Sequence, residues 1–134
     1  MEWIGSGTVR QHTLEGFVEK PYDMAYLTPA EIDQIMALQQ LVYDSMDDRQ
    51  KFVPDPREFF EEVALKPGRG RMIGIFVEGK MIACRSISFP GLSFENLGWE
   101  LQLEEEDLKR VCHLESSIVH PDFRVNRLQA KMLK

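Results

Sequence analysis

The clearest periodicity along the chain begins at Ile32. Ile32, Ile35, Met36, Val42 and Met46 recur at spacings of three and four, with Gln39 the polar member of the series. That period places one apolar face on a helix. Thr28-Pro29-Ala30-Glu31 stands just ahead of it. A threonine N-cap, a proline at the first helical position and a glutamate two residues after it make a capping box, which satisfies amide donors that the first turn leaves over. Together these signals predict a helix over residues 29–45. Asp55-Pro56-Arg57-Glu58 repeats the start signal, and Phe59, Phe60, Val63 and Ala64 supply the apolar face of a shorter helix. Lys66-Pro67-Gly68 ends it, because proline breaks the ladder and glycine accepts the turn.

After Gly70 the pattern changes to β-branched and aromatic. Met72-Ile73-Gly74-Ile75-Phe76-Val77, the turn pair Glu78-Gly79, and a resumed apolar run over 80–89 predict a hairpin closed by Pro90-Gly91. Residues 111–119 read as another strand. His120-Pro121-Asp122-Phe123 then makes a turn, since proline stops a ladder, and residues 126–134 read as the opening of a helix. The N-terminal stretch is faint: Thr8 to Leu14 alternates weakly between Gly7 and Gly16, and Ala25-Tyr26-Leu27 is a second short strand. Residues 92–110 form a long insertion in which Glu104, Glu105, Glu106 and Asp107 start a short, solvated surface helix, acids favouring a helix N-terminus.

Composition narrows the class. The chain has 134 residues, 43% hydrophobic, with 16 Lys and Arg against 22 Asp and Glu for a net charge of −6. Mean hydropathy is −0.29. These values exclude a disordered acidic tail and suit one domain spanning 1–134. The acidic balance argues against a nucleic-acid partner, which needs a basic face. No apolar run approaches the roughly 20 residues of a membrane span, and the N-terminus has neither a basic region nor an apolar core of a secretion signal. Two cysteines, Cys84 and Cys112, are too few for a disulfide framework or a four-thiolate zinc site, so a reduced cytoplasmic protein is expected. His12, His113 and His120 lack metal spacing, and no metal is expected. Ser116 and Ser117 have no nucleophile elbow around them. Gly5-Ser6-Gly7 and Gly68-Arg69-Gly70 lack the strand-then-helix setting of a phosphate loop. Phe89, Phe94 and Trp99 are candidates to line an acceptor site or to pack as core or lid.

Candidate chemistry concentrates where the last strand ends. A strand, a proline turn and a basic loop entering a helix present amide donors toward an anion. Arg124, Arg127 and Lys131 add positive charge in an otherwise acidic protein, so a phosphate-bearing ligand is expected there. Strand alternation places Val111, His113, Glu115, Ser117 and Val119 on one face. A histidine and a carboxylate two apart can take a proton from an ammonium, directly or through water. Each also has a structural counterpart: a salt-bridged strand carboxylate for Glu115, a hydrogen-bonded imidazole for His113.

Val119-His120-Pro121-Asp122-Phe123-Arg124 resembles the central motif of the GNAT family of acetyl-CoA-dependent N-acetyltransferases, a hydrophobic strand followed by Val-x-Pro-x-x-Arg. Where that family has Gly-x-Gly, this chain has Arg127 and Gln129. The order strand, helix, helix, hairpin, strand, helix is also similar, over about residues 25–134. The resemblance implies an α/β fold with a mixed, mostly antiparallel sheet flanked by helices and lacking the family's C-terminal strands. The chain would then be a fragment, or a partner would supply the rest. It further implies acetyl-CoA as co-substrate, with the pantetheine arm along Ser117, Ile118 and Val119. The diphosphate would meet Arg124 and the amides of Val125, Asn126, Arg127, Leu128, Gln129 and Ala130. Glu115 is then the favoured base, with His113 second. The activity implied is transfer of an acetyl group to a primary amine, of a small molecule or a peptide, by direct attack in a ternary complex. A non-catalytic CoA-binding or interaction domain of the same fold is the alternative, alongside an inactive fragment. The strand 111–119 would leave an open edge, which invites self-association.

Overall fold

The computed structural model describes residues 1–46, 54–89, 104, 113–126 and 128–132. The expectations for the long insertion, for Phe94, Trp99 and Cys112, and for Arg127 lie outside these residues.

Five strands form one sheet in the order β1-β2-β3-β4-β5: β1 Glu2–Thr13, β2 Gly16–Tyr26, β3 Gly70–Val77, β4 Lys80–Ser88 and β5 His113–Val119. Every described pairing is antiparallel. Residues Glu78 and Gly79 join β3 to β4 with φ of 52° and 79°. Two consecutive left-handed residues match the twist of the flanking strands.

The helix after β2 starts as expected. Thr28 Oγ1 accepts from Ala30 N at 3.3 Å, and the buried Glu31 carboxylate accepts from Thr28 N at 3.1 Å. The first turn, Pro29–Glu31, is a 3-10 turn, and α1 runs Ile32–Asp44. Gln39 faces the core because its amide is paired on both sides: Nε2 donates to Asp55 O at 2.9 Å, and Oε1 accepts from Asp55 N at 3.0 Å. The backbone of Asp55 is thus held to α1, and the expected aspartate cap is not made. Pro56 occupies the N-cap position of α2 (Arg57–Phe59) with no side-chain cap. A π-helical turn, Phe60–Ala64, follows, closed by Leu65 N donating to Phe60 O at 3.0 Å. The wider turn brings Phe60, Ala64 and Leu65 to the core together; each is at most 7% exposed.

The sheet carries a core on each face. Ile35, Leu38, Phe60, Met72, Phe76, Cys84 and Ile118 pack under α1 and α2. Ile75, Ile82, Phe123, Leu128 and Met132 pack on the other face with Val9 and Tyr22 of the N-terminal hairpin.

That hairpin is the main departure from the sequence expectation. Its strands are far longer than the two short runs expected, and they pair from Glu2↔Tyr26 to Thr13↔Gly16. β2 pairs with β3 only through Asp23 to Tyr26, so the rest of the hairpin projects past β3. Gly7 allows it to close, since a Cβ there would sit 2.7 Å from the Tyr22 ring.

Candidate active site at the end of strand β5

The candidate site lies where β5 leaves the sheet. Ser117, Ile118 and Val119 pair with Arg85, Cys84 and Ala83 of β4. His120 N extends the ladder by one bond, donating to Ile82 O at 2.7 Å. β4 occupies one side of β5. The other side has no strand partner among the described residues.

A register shift interrupts β5. Ser117 is opposite Arg85, but Leu114 is opposite Ile87 and His113 opposite Ser88. Three steps along β5 therefore match two along β4, and the two-residue period is lost between Leu114 and Ser117. The expected single face of His113, Glu115, Ser117 and Val119 is corrected accordingly: position 113 is out of phase with 117 and 119. Glu115 and Ser116 occupy the irregular step. The side chains of His113 and Glu115 lie outside the described atoms. Ser117 Oγ is buried and has no hydrogen-bond partner among the described residues.

Beyond Val119 the chain does not enter a helix at Asn126. It forms a 3-10 turn, Pro121–Asn126, followed by the short helix α3, Leu128–Lys131. Proline sets φ at the start of the turn, and Phe123, 3% exposed, anchors it in the core together with Leu128 and Met132. The first amides of this turn are already engaged. Asp122 N donates to His120 Nδ1 at 3.1 Å, and Phe123 N donates to His120 O at 3.0 Å. The Asn126 side chain is also committed: Nδ2 donates to Arg10 O at 2.7 Å and to Phe123 O at 2.9 Å, while Oδ1 accepts from Arg10 N at 2.8 Å. One amide side chain thus acts as a strand residue against β1 and ties the turn to the N-terminal hairpin. The sequence contained no signal for that tie, which spans 116 positions. Of the expected cations, Arg124 is exposed, and Lys131 Nζ sits 5.3 Å from the centroid of the Tyr22 ring.

The rest of the chemistry-bearing inventory is quiet. Among the described residues no three His, Cys, Asp or Glu side chains cluster closely enough to hold a metal ion. Burial pushes the Cys84 thiol up from 9.0 to about 12, with Asp55 adding to the shift. That thiol is a core residue, inert as a nucleophile. No helix among the described residues is long and apolar enough to cross a membrane.

No protein-family model matches the sequence, and no curated protein does. Among solved structures, the chain is similar to the crystal structure of a ribosomal-protein-alanine N-acetyltransferase from Brucella melitensis biovar Abortus 2308. The TM-score is 0.54 at 16% identity, covering 84% of this chain and 66% of that one. The likeness concerns the fold, which in this chain is an antiparallel five-stranded sheet with helices packed on it. The chain spans just under two thirds of that neighbour's length.

Proposed function

We propose that this chain is an acetyl-CoA-dependent N-acetyltransferase, or the part of one that carries the co-substrate strand. The observation behind this reading is the position of Val119-His120-Pro121-Asp122-Phe123-Arg124 at the junction of β5 and the 3-10 turn, on a fold similar to that of an N-acetyltransferase. The donor set suits a CoA thioester in three respects. The outer edge of β5 offers backbone groups to an amide-bearing pantetheine arm along Ser117, Ile118 and Val119. Ser117 Oγ is buried and in need of a partner. Arg124, with the amides of residues 125–130, is suited to the diphosphate.

In this reading the acceptor amine attacks the thioester carbonyl directly. The amine must be unprotonated to do so, and Glu115 takes its proton, with His113 as the second candidate. Backbone amides beside the irregular step of β5 stabilise the developing oxyanion. The acceptor is a primary amine on a small molecule or a peptide. The test is calorimetric titration and thermal shift of the whole chain with acetyl-CoA and with CoA. A rise in Tm and a saturable heat are expected; absence of both removes the reading.

A second reading has its own support. Asn126 spends its side chain on β1, the leading amides of the turn are occupied by His120, and Arg127 and Gln129 stand where the family has glycines. A tightened turn of this kind suits a domain that binds CoA, or another protein, without turnover. Binding that is unchanged in Glu115→Gln, with no turnover across a panel of amines, supports that second reading over the first.

A further inference from the structure

We infer that the cavity where the start of β1, the end of β2 and the start of β3 meet binds a free α-amino acid with an apolar side chain. The cavity holds about 620 Å³, within the roughly 300–1,000 Å³ of small-molecule sites. No residue of β5 or of the turn after it lines this space, and the inference stands independently of the transferase reading.

Two opposite charges open onto the cavity, those of Glu2 and Arg71. Both residues are exposed. Among the described residues neither makes an ion pair or a side-chain hydrogen bond, with each other or with the Met1 ammonium. Sheet register brings them to one place. Glu2 is opposite Tyr26, and Tyr26 is opposite Ile73. Paired residues share a face, and neighbouring strands lie about 4.8 Å apart. Arg71 precedes Ile73 by two positions on that same face, and its guanidinium lies 4.4 Å from the centroid of the Tyr26 ring. Stacking on the ring positions the guanidinium and leaves its in-plane N–H groups free to donate. The nearby groups do not change this balance. Thr28 spends its hydroxyl on its own helix, accepting from Ala30 N and donating to the Glu31 carboxylate. Lys66 reaches Glu62 at 3.8 Å, and Arg69 does not line the cavity.

The remaining wall is apolar. Leu27 and Leu65 are buried beside the cavity, and the exposed ring of Phe89 stands at its edge. Phe89 N donates to Arg69 O at 2.6 Å, which fixes that residue after β4. Such a wall takes an apolar side chain. A ligand carboxylate then pairs with Arg71 and a ligand ammonium with Glu2. Both protein charges flank one ring, so the ligand's charges must be close together, as on a single α-carbon. A ligand with one charge leaves the other protein charge unmatched, and a diphosphate is opposed by Glu2. An ammonium facing a carboxylate keeps its proton, so an amine held here is bound and is not the nucleophile of acyl transfer.

The test is an NMR titration of the whole chain with L-phenylalanine, using phenethylamine and 3-phenylpropanoate as probes that lack one charge each. L-phenylalanine is expected to shift the methyls of Leu27 and Leu65 and the rings of Tyr26 and Phe89 saturably. It should bind at least about tenfold more tightly than either control, since a hydrogen bond to a charged group contributes roughly 1.5–3 kcal/mol. Arg71→Gln is expected to abolish the preference over phenethylamine, and Glu2→Gln the preference over 3-phenylpropanoate, while the controls bind as before. Equal affinity for the three probes, shifts that map elsewhere, no saturable shift, or an unchanged preference in either variant would each overturn the inference. The readout needs no acetyl-CoA, so it leaves the transferase reading to its own test.

Discussion

The β3–β4 hairpin and the β1–β2 hairpin both turn on two residues yet differ in almost everything else. In β3 and β4 nearly every residue from Met72 to Ser86 outside the turn is buried, because helices or the N-terminal hairpin cover both faces. In β1 only Val9 is buried, and in β2 only Tyr22 and Ala25. The β3–β4 hairpin is held by its core. The β1–β2 hairpin is held by its own ladder, by a short pairing of β2 with β3 over Asp23 to Tyr26, by Val9 and Tyr22 in the second core, and by a few point contacts: Asn126 on Arg10, Lys20 on Glu78, and Lys131 over Tyr22. Stability and legibility follow the same division, because both depend on apolar burial.

The contrast can be broken from the core side first. Phe60→Ala removes a side chain with no exposed surface from the π turn under the sheet. It should cost about 3–5 kcal/mol, read as a lower urea midpoint, and a cost under about 1 kcal/mol would mean the core is not organised around that turn. The native Cys84 thiol should be silent to a thiol reagent and react only on unfolding. Its rise from 9.0 to about 12 cuts the thiolate fraction about a thousandfold at neutral pH. Asn126→Ala comes next, at about 1–2 kcal/mol for three lost hydrogen bonds. Its distinguishing mark is faster hydrogen exchange at Arg10 and along β1 than at β3 and β4. Thr28→Ala should cost about 1 kcal/mol through loss of the cap on the α1 side.

The smallest effect belongs to the exposed Lys20–Glu78 pair. Glu78 is held below its ordinary value of 4.5 when folded, so the stability it contributes is present above its unfolded value and is lost as pH falls through the folded one. Exchange at the hairpin tip should rise in acid in the natural chain and lose that pH dependence in Lys20→Gln.

Much of the scaffold around the site is legible in the residues alone. The capping box at Thr28, the stop at Lys66-Pro67-Gly68, the Glu78-Gly79 turn and the strand ending at Val119 are local devices, and each appears where its residues specify it. Gln39, odd in an apolar series, is explained by Asp55, whose backbone lies against it. Other features have no local trace. Glu2 to Tyr26 lacks the alternation that burial imposes, since most of its residues remain in solvent. The register shift between Arg85 and Ile87 depends on how two strands pair, so strict alternation along 113–119 misplaces the phase of His113.

What the amino-acid sequence determined by itself was the set of elements whose cause is short-range: caps, breakers, turn pairs, apolar period, and the Val119 to Arg124 junction. The tertiary structure alone decided the reach of the N-terminal hairpin, the commitment of Asn126 to a strand 116 positions away, and the cavity where β1, β2 and β3 meet. The physical reason is that these depend on contacts between segments distant along the chain, and no spacing within any one segment encodes them.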